Sequence, residues 1–321
     1  MNTIDDASAR RPAYLRRHST LRKALLFVVA VAMLGFAVFW FVTIPSTVAA
    51  SALAPHTPDL ANGKTMFLAG DCSSCHAVPM QEDSTRLGGG LGLVSKFGTF
   101  YVPNISSDPK DGIGGWTEAQ FVTALTKGVS PEGEHLYPVF PYTSFQRMGS
   151  DDLRDLFAYI KSLPPVSGTV REDGVPFPMN IRRLVGGWKM LYLDGMAFKV
   201  DPSKSTSWNR GAYLVNGPAH CAECHSPRNK LGAIVAEKRM SGNPNTFGQL
   251  GFPNITQAKL GKWTQAEIAE MLSTGFTADG DRVGGPMTEV VRSTSQLSAE
   301  DRAAMAEYIK SLPPIAGDGG N

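Results

Sequence analysis

The sequence predicts an all-α protein: one amino-terminal transmembrane helix followed by two tandem copies of a small helical domain. Three observations predict it. Residues 24–44 form an uncharged apolar run; Cys72-Ser73-Ser74-Cys75-His76 returns as Cys221-Ala222-Glu223-Cys224-His225, using all 4 cysteines; and a set of shorter anchors recurs in the same order after each motif. The length of 321 residues exceeds one ordinary domain and suits two of about 110 to 150 residues plus a tail. Glycine at 33 and proline at 22 are high for a packed helical protein, which points to short helices separated by long ordered loops.

In chain order, residues 1–23 form a basic tail carrying Arg10, Arg11, Arg16, Arg17, Arg22 and Lys23. The apolar run from Ala24 to Ile44 follows, long enough at about 1.5 Å per residue to cross a hydrocarbon core of about 30 Å. No basic residue follows until Lys64, so the tail is expected to stay cytoplasmic and everything after Pro45 to be exported. The expected location is the inner membrane of a Gram-negative cell, single-pass, with the two domains in the periplasm. The competing reading is a signal peptide cleaved at Val48-Ala49-Ala50 or Ala52-Leu53-Ala54; the apolar run is longer than the usual signal core, which favours an anchor. The tail carries more positive charge than the net +2 of the whole chain, so the exported part is weakly acidic. Such a surface is not a nucleic-acid partner.

A Pro/Ala/Ser linker spans 45–58, a first domain 59–166, an interdomain segment 167–206, a second domain 207–316 and a short tail 317–321. The duplication rests on paired anchors. Pro103-Asn104-Ile105-Ser106 answers Pro253-Asn254-Ile255-Thr256, Trp116-Thr117 answers Trp263-Thr264, and Tyr159-Ile160-Lys161-Ser162-Leu163-Pro164-Pro165 answers Tyr308-Ile309-Lys310-Ser311-Leu312-Pro313-Pro314. Thr117 and Thr264 are N-cap candidates for helices that Gly128 and Gly275 stop; Ser150 and Ser298, each before an acidic first turn, should cap the last helix of each copy. The first and last helices of a copy are expected to cross as its scaffold.

Cys-x-x-Cys-His is the attachment sequence of c-type haem. The thiols add to the two vinyl groups, and the adjacent histidine ligates the iron. Cysteines three apart share one side of a helical turn, so both reach one porphyrin edge. Cys72, Cys75, Cys221 and Cys224 are therefore the tethers of two covalent haems, with His76 and His225 as proximal ligands. A zinc site would need the four thiolates to converge and leaves both histidines unexplained. A redox disulfide would sit in a β-α-β context that neither motif has.

The sixth ligand separates electron transfer from chemistry at an open iron. Met287, in the Gly/Pro loop Gly284-Gly285-Pro286-Met287, is the candidate for the second haem. Aligned from the tryptophans, its counterpart in the first copy is Phe140, which cannot bind iron. Met148 is the nearest thioether and the expected replacement, although aligned from the last helix it matches Leu297, a core position. His135 and a five-coordinate iron are the alternatives. His56 falls in the linker, and His220 reads as structural.

Beyond residue 60 the chain resembles the membrane-bound cytochrome c subunits of periplasmic alcohol, aldehyde and gluconate dehydrogenases. The resemblance is carried by Phe97-Gly98-Thr99-Phe100-Tyr101-Val102-Pro103-Asn104-Ile105-Ser106, Gly112-Ile113-Gly114-Gly115-Trp116, Leu136-Tyr137-Pro138-Val139-Phe140-Pro141-Tyr142, Arg210-Gly211-Ala212-Tyr213-Leu214-Val215 and Ser226-Pro227-Arg228-Asn229. It implies two tandem class I cytochrome c-like domains and an electron-transfer subunit. Such a subunit accepts electrons from a dehydrogenase catalytic partner and delivers them to quinone or a terminal oxidase, with no substrate chemistry of its own. Many members have three haems, and many have methionine where this chain has Phe140. There are two rival readings. One is a dihaem peroxidase or thiosulfate-oxidising enzyme at an open first haem, for which only His135, Glu132 and Glu134 offer acid/base groups; the other is the dihaem subunit of a terminal oxidase.

Overall fold

The computed structural model describes residues 13–244 and 251–317, with side chains from residue 21 onward. Arg10 and Arg11 of the basic tail, the side chains of Arg16 and Arg17, and residues 318–321 of the carboxyl-terminal tail lie outside this description. The chain forms two compact units that divide between Ile44 and Pro45.

The first unit contains α1 (Ala13–Val42), which starts earlier and ends slightly sooner than the apolar run. Within it, Leu21–Val42 is 22 residues long, about 33 Å of helix, and its most apolar 18-residue window has a mean hydropathy of 2.8. Its large side chains, Phe27, Leu34 and Phe41 among them, are exposed. Exposed apolar area on that scale is costly in water and favourable in hydrocarbon. The helix is long and apolar enough to cross a membrane.

The second unit carries, in its first half, α2 (Leu60–Ala69), α3 (Cys72–His76), a hairpin of β1 (Gly92–Ser95) and β2 (Gly98–Tyr101), α4 (Glu118–Lys127), α5 (Tyr142–Phe145) and α6 (Ser150–Ser162). Then come α7 (Arg183–Tyr192), α8 (Thr206–Asn216), α9 (Ala222–His225), α10 (Gln257–Leu260), α11 (Gln265–Thr274), α12 (Met287–Thr294) and α13 (Ala299–Lys310). The architecture is thus helical and duplicated, as expected, with one short antiparallel hairpin among the described residues, which pairs Gly92 with Tyr101 and Ser95 with Gly98.

Two crossed helix pairs, α2 on α6 and α8 on α13, form the scaffolds. Each crosses at a glycine. A Cβ on Gly63 would overlap the Asp155 carbonyl oxygen, and one on Gly211 would overlap that of Ala304, so only glycine lets the backbones approach this closely. Aromatic pairs flank both crossings, Phe67 with Tyr159 at 5.3 Å and Trp208 with Tyr308 at 5.2 Å between ring centroids. Thr117 and Thr264 cap α4 and α11 through full capping boxes with Gln120 and Glu267, and Gly128 and Gly275 end them in the left-handed conformation. Ser298 caps α13 by accepting from the Asp301 N–H at 3.0 Å.

Ser150 does not cap. It is the first residue of α6, and Gly149 takes the cap position while its N–H donates to the Tyr213 hydroxyl of the second copy at 3.2 Å. The copies differ most at α5 and α12. Met287 opens α12 directly after Pro286, whereas Pro138 and Pro141 occupy the corresponding turn of the first copy and delay α5 until Tyr142.

Residues 45–58 are docked rather than free. The Val48 N–H donates to Thr123 Oγ1 at 2.9 Å, Arg154 donates to the Ala54 carbonyl at 2.7 Å, and His56 Nε2 lies 2.6 Å from Asp155 Oδ1. The interdomain segment is structured as well. Gly174 bridges to Thr99 beside the hairpin, and α7 wedges between the copies. There Lys189 Nζ donates to the Lys127 carbonyl at 2.7 Å, while the Trp188 indole donates to the Leu231 carbonyl at 3.0 Å.

Candidate functional site

Both Cys-x-x-Cys-His motifs sit on one short helical turn following a residue in the left-handed region, Asp71 at φ 45° and His220 at φ 39°. Residues three apart on a helical turn share one side, so both thiols of a motif can serve one edge. All four cysteines are unpaired thiols. Burial pushes each of them up, Cys221 to about 12 and Cys224 to about 11, and the Asp71 carboxylate raises Cys72 further.

The imidazoles are oriented identically. His76 Nδ1 lies 2.9 Å from the Pro103 carbonyl oxygen, and His225 Nδ1 lies 2.7 Å from that of Pro253. A carbonyl only accepts, so Nδ1 carries the proton and Nε2 keeps its lone pair. Burial lowers His76 to about 4 and lowers His225 as well, against the opposing pull of those carbonyls, so both rings are neutral at ordinary pH. A neutral imidazole with its outer nitrogen fixed by a carbonyl is what a metal ligand needs.

The repeated Pro-Asn-Ile anchor therefore has a function that its recurrence alone did not reveal. Its proline carbonyl holds the histidine, and its asparagine holds the loop. Asn104 donates to the Val166 carbonyl at 2.7 Å and accepts from the Ser106 N–H; Asn254 donates to the Ile315 carbonyl at 2.8 Å and accepts from the Thr256 N–H. The loop below each histidine is thus locked to the segment that follows the copy's last helix.

Met287 is half-buried against the core at the start of α12. Phe140 packs on Phe145 and Tyr142 at 5.5 and 6.4 Å. Met148 is buried, and its Cγ lies 3.6 Å from where a Cβ on Gly217 would stand, so it packs across the boundary between the copies. His135 is buried in the loop after α4, bridged to Val129, with Nδ1 3.1 Å from Lys189 Nζ. The Tyr142 hydroxyl beside this region is buried and without a hydrogen-bond partner among the described residues. Burial pushes that phenol up and pushes Lys189 down to about 7.

Paired thiols with an adjacent oriented imidazole, present twice on an all-α scaffold, define a protein built for two covalent haems. The Cytochrome c family matches residues 60–164 and again 209–313. The chain belongs to the cytochrome c family, binds two haem c groups covalently and is an electron-transfer cytochrome. It is 44% identical over 297 residues to a diheme cytochrome c-type protein of Cereibacter sphaeroides, covering 92% of this chain and 100% of that one. To the fructose dehydrogenase cytochrome subunit of Gluconobacter japonicus it is 36% identical, over 82% of this chain and 54% of the relative. It is 35% identical to the cytochrome c subunit of a quinone-dependent alcohol dehydrogenase of Gluconacetobacter polyoxogenes, over 86% of this chain and 61% of that subunit. The chain thus spans the whole of the first relative and a part of the other two.

Proposed function

We propose that this cytochrome is the electron-relay subunit of a periplasmic dehydrogenase, held in the inner membrane by α1 and passing single electrons from the catalytic partner to quinone or a terminal oxidase. Cys72 and Cys75 tether the first haem and Cys221 and Cys224 the second. His76 and His225 are the proximal ligands, and Met287 closes the second iron. For the first iron the ligand is Met148, the next thioether in the chain after the Phe140 slot, with His135 as the imidazole alternative.

The observation that carries this reading is the pair of histidines fixed through Nδ1 on Pro103 and Pro253. Each stands beside two thiols and has its other nitrogen free to donate to a metal. Bound haem supplies a one-electron couple. The chain's own part is to hold each imidazole neutral, fix its plane and bury the tethering sulfurs away from water. The dehydrogenase partner is inferred from relatives that are cytochrome subunits of such enzymes. Mass spectrometry of the purified chain tests the site. Two haem additions and no free thiol are expected, while zinc without haem would end the reading.

A further inference from the structure

The two copies meet at their attachment motifs, and they do so reciprocally. From the first copy, Thr143 Oγ1 and Ser144 Oγ donate to Glu223 Oε1 at 2.7 and 2.8 Å, inside the second motif. From the second copy, Ser293 Oγ donates to Asp71 Oδ1, directly before the first motif, at 2.5 Å. Ser144 and Ser293 hold the same place in the repeat, one near the end of α5 and the other near the end of α12. Each sits on the helix that follows its own copy's ligand loop and reaches the other copy's haem-attachment turn.

The contact continues between the turns. His220 Nε2 lies 3.3 Å from the Gly70 carbonyl oxygen, and its ring stands edge-on to Phe145 at 5.6 Å. A Cβ on Gly70 would lie 3.3 Å from Cys72 Sγ and 3.7 Å from the Pro218 carbonyl oxygen. Both acceptor carboxylates are buried. Glu223 also pairs with Arg228 at 2.8 Å. A buried carboxylate costs several kcal/mol of desolvation unless it is bonded, so two of them at one interface, each bonded across it, are a fixed registration device.

We propose that Thr143, Ser144 and Ser293, with Glu223 and Asp71 as their acceptors, are positioning residues that hold the two haem-attachment turns against each other, so that an electron passes directly between the two haems within one chain. This rests on the attachment reading above: Cys72 and Cys75 would hold one haem and Cys221 and Cys224 the other, and these contacts join the two turns that carry those cysteines. In the step, one electron leaves ferrous iron at one site and reduces ferric iron at the other. No proton or atom is exchanged.

The test uses the full chain with its haems, purified in detergent. Two nearby haems couple their Soret transitions, so the unaltered protein is expected to show a bisignate Soret circular dichroism band. The variant Thr143→Val/Ser144→Ala/Ser293→Ala should keep two haem additions and its absorbance spectrum but lose most of that bisignate amplitude. Ser144→Thr, which keeps the hydroxyl, should retain it. Where the triple variant fails to fold, Ser293→Ala alone should lose part of the amplitude. Absence of two haem additions in the unaltered chain overturns the attachment reading and this proposal with it. Two haem additions with a Soret band of one sign, or a bisignate band unmoved by these substitutions, overturn this proposal alone.

Discussion

Met287→Leu and Met148→Leu are the substitutions that separate a ligand from a core side chain, because leucine nearly conserves the volume of methionine and should cost the fold less than about 1.5 kcal/mol. A thioether ligand favours ferrous iron and raises the potential. Met287→Leu is therefore expected to abolish one weak red-end charge-transfer band of the ferric spectrum and to lower the potential of one haem, leaving the other unchanged. Met148→Leu should do the same to the remaining band; survival of that band would return Met148 to the core role its contact with Gly217 and its match to Leu297 describe, and transfer the first iron to His135 or an open site. At this scale the attachment residues were legible because thiol chemistry fixes their spacing. The proline carbonyls that hold His76 and His225 were visible only as a repeated anchor, since a backbone acceptor leaves no mark of its role in side-chain identity. Glu223 gave no signal at all: a charged residue on a short turn reads as solvated, whereas here it is buried, bonded by Arg228 of its own copy and by Thr143 and Ser144 of the other.

Among the elements, the crossings of α2 on α6 and α8 on α13 carry the sharpest constraint. Gly211→Ala places a methyl where the Ala304 carbonyl oxygen stands. Relief requires separating two helices, so a loss of about 1–3 kcal/mol or more is expected in thermal or denaturant unfolding. Gly284→Ala is the matched control, because a Cβ there meets nothing within 4 Å and its backbone is ordinary; its transition should move little. The helices themselves were readable from caps and stops, and Thr117, Thr264, Gly128 and Gly275 acted as their chemistry dictates. Ser150 does not cap because α6 begins one residue early, at Ser150 itself; Gly149 takes the cap position, and its N–H goes to Tyr213 of the other copy, a partner that local sequence does not contain. The α7 helix is hidden in the sequence for a related reason. Gly186-Gly187 lowers its helix propensity, and what holds it is tertiary, with Lys189 on the α4 carbonyls and Trp188 on Leu231. The hairpin overlaps a stretch that carries the family resemblance, yet its four-residue strands are too short for alternation to outweigh a helical prior.

For the whole molecule, duplication and the apolar run were legible because both are long-range patterns, while the docking of residues 45–58 was not, since a Pro/Ala/Ser composition reads as a loose linker. That docking bears on topology. Cleavage beside Ala50 would remove Val48, whose N–H satisfies Thr123 on α4, and cleavage beside Ala54 would also remove Leu53 from its place against the core and sever the Arg154 contact. A processing site inside a strand of chain that the folded domain uses would cost the mature protein those contacts, whereas an uncut α1 keeps them and supplies a span of adequate length. The expected outcome is a protein that sediments with the membrane fraction, resists release by osmotic shock and is solubilised by detergent, with an intact mass that includes residues 24–44. A chain starting after Ile44 behind a cleavable export signal should be recovered soluble with both haems, because the second unit has its own core. Recovery of the natural chain in the shock fluid with an amino terminus near Ser51 or Pro55 would replace the anchor with a signal peptide.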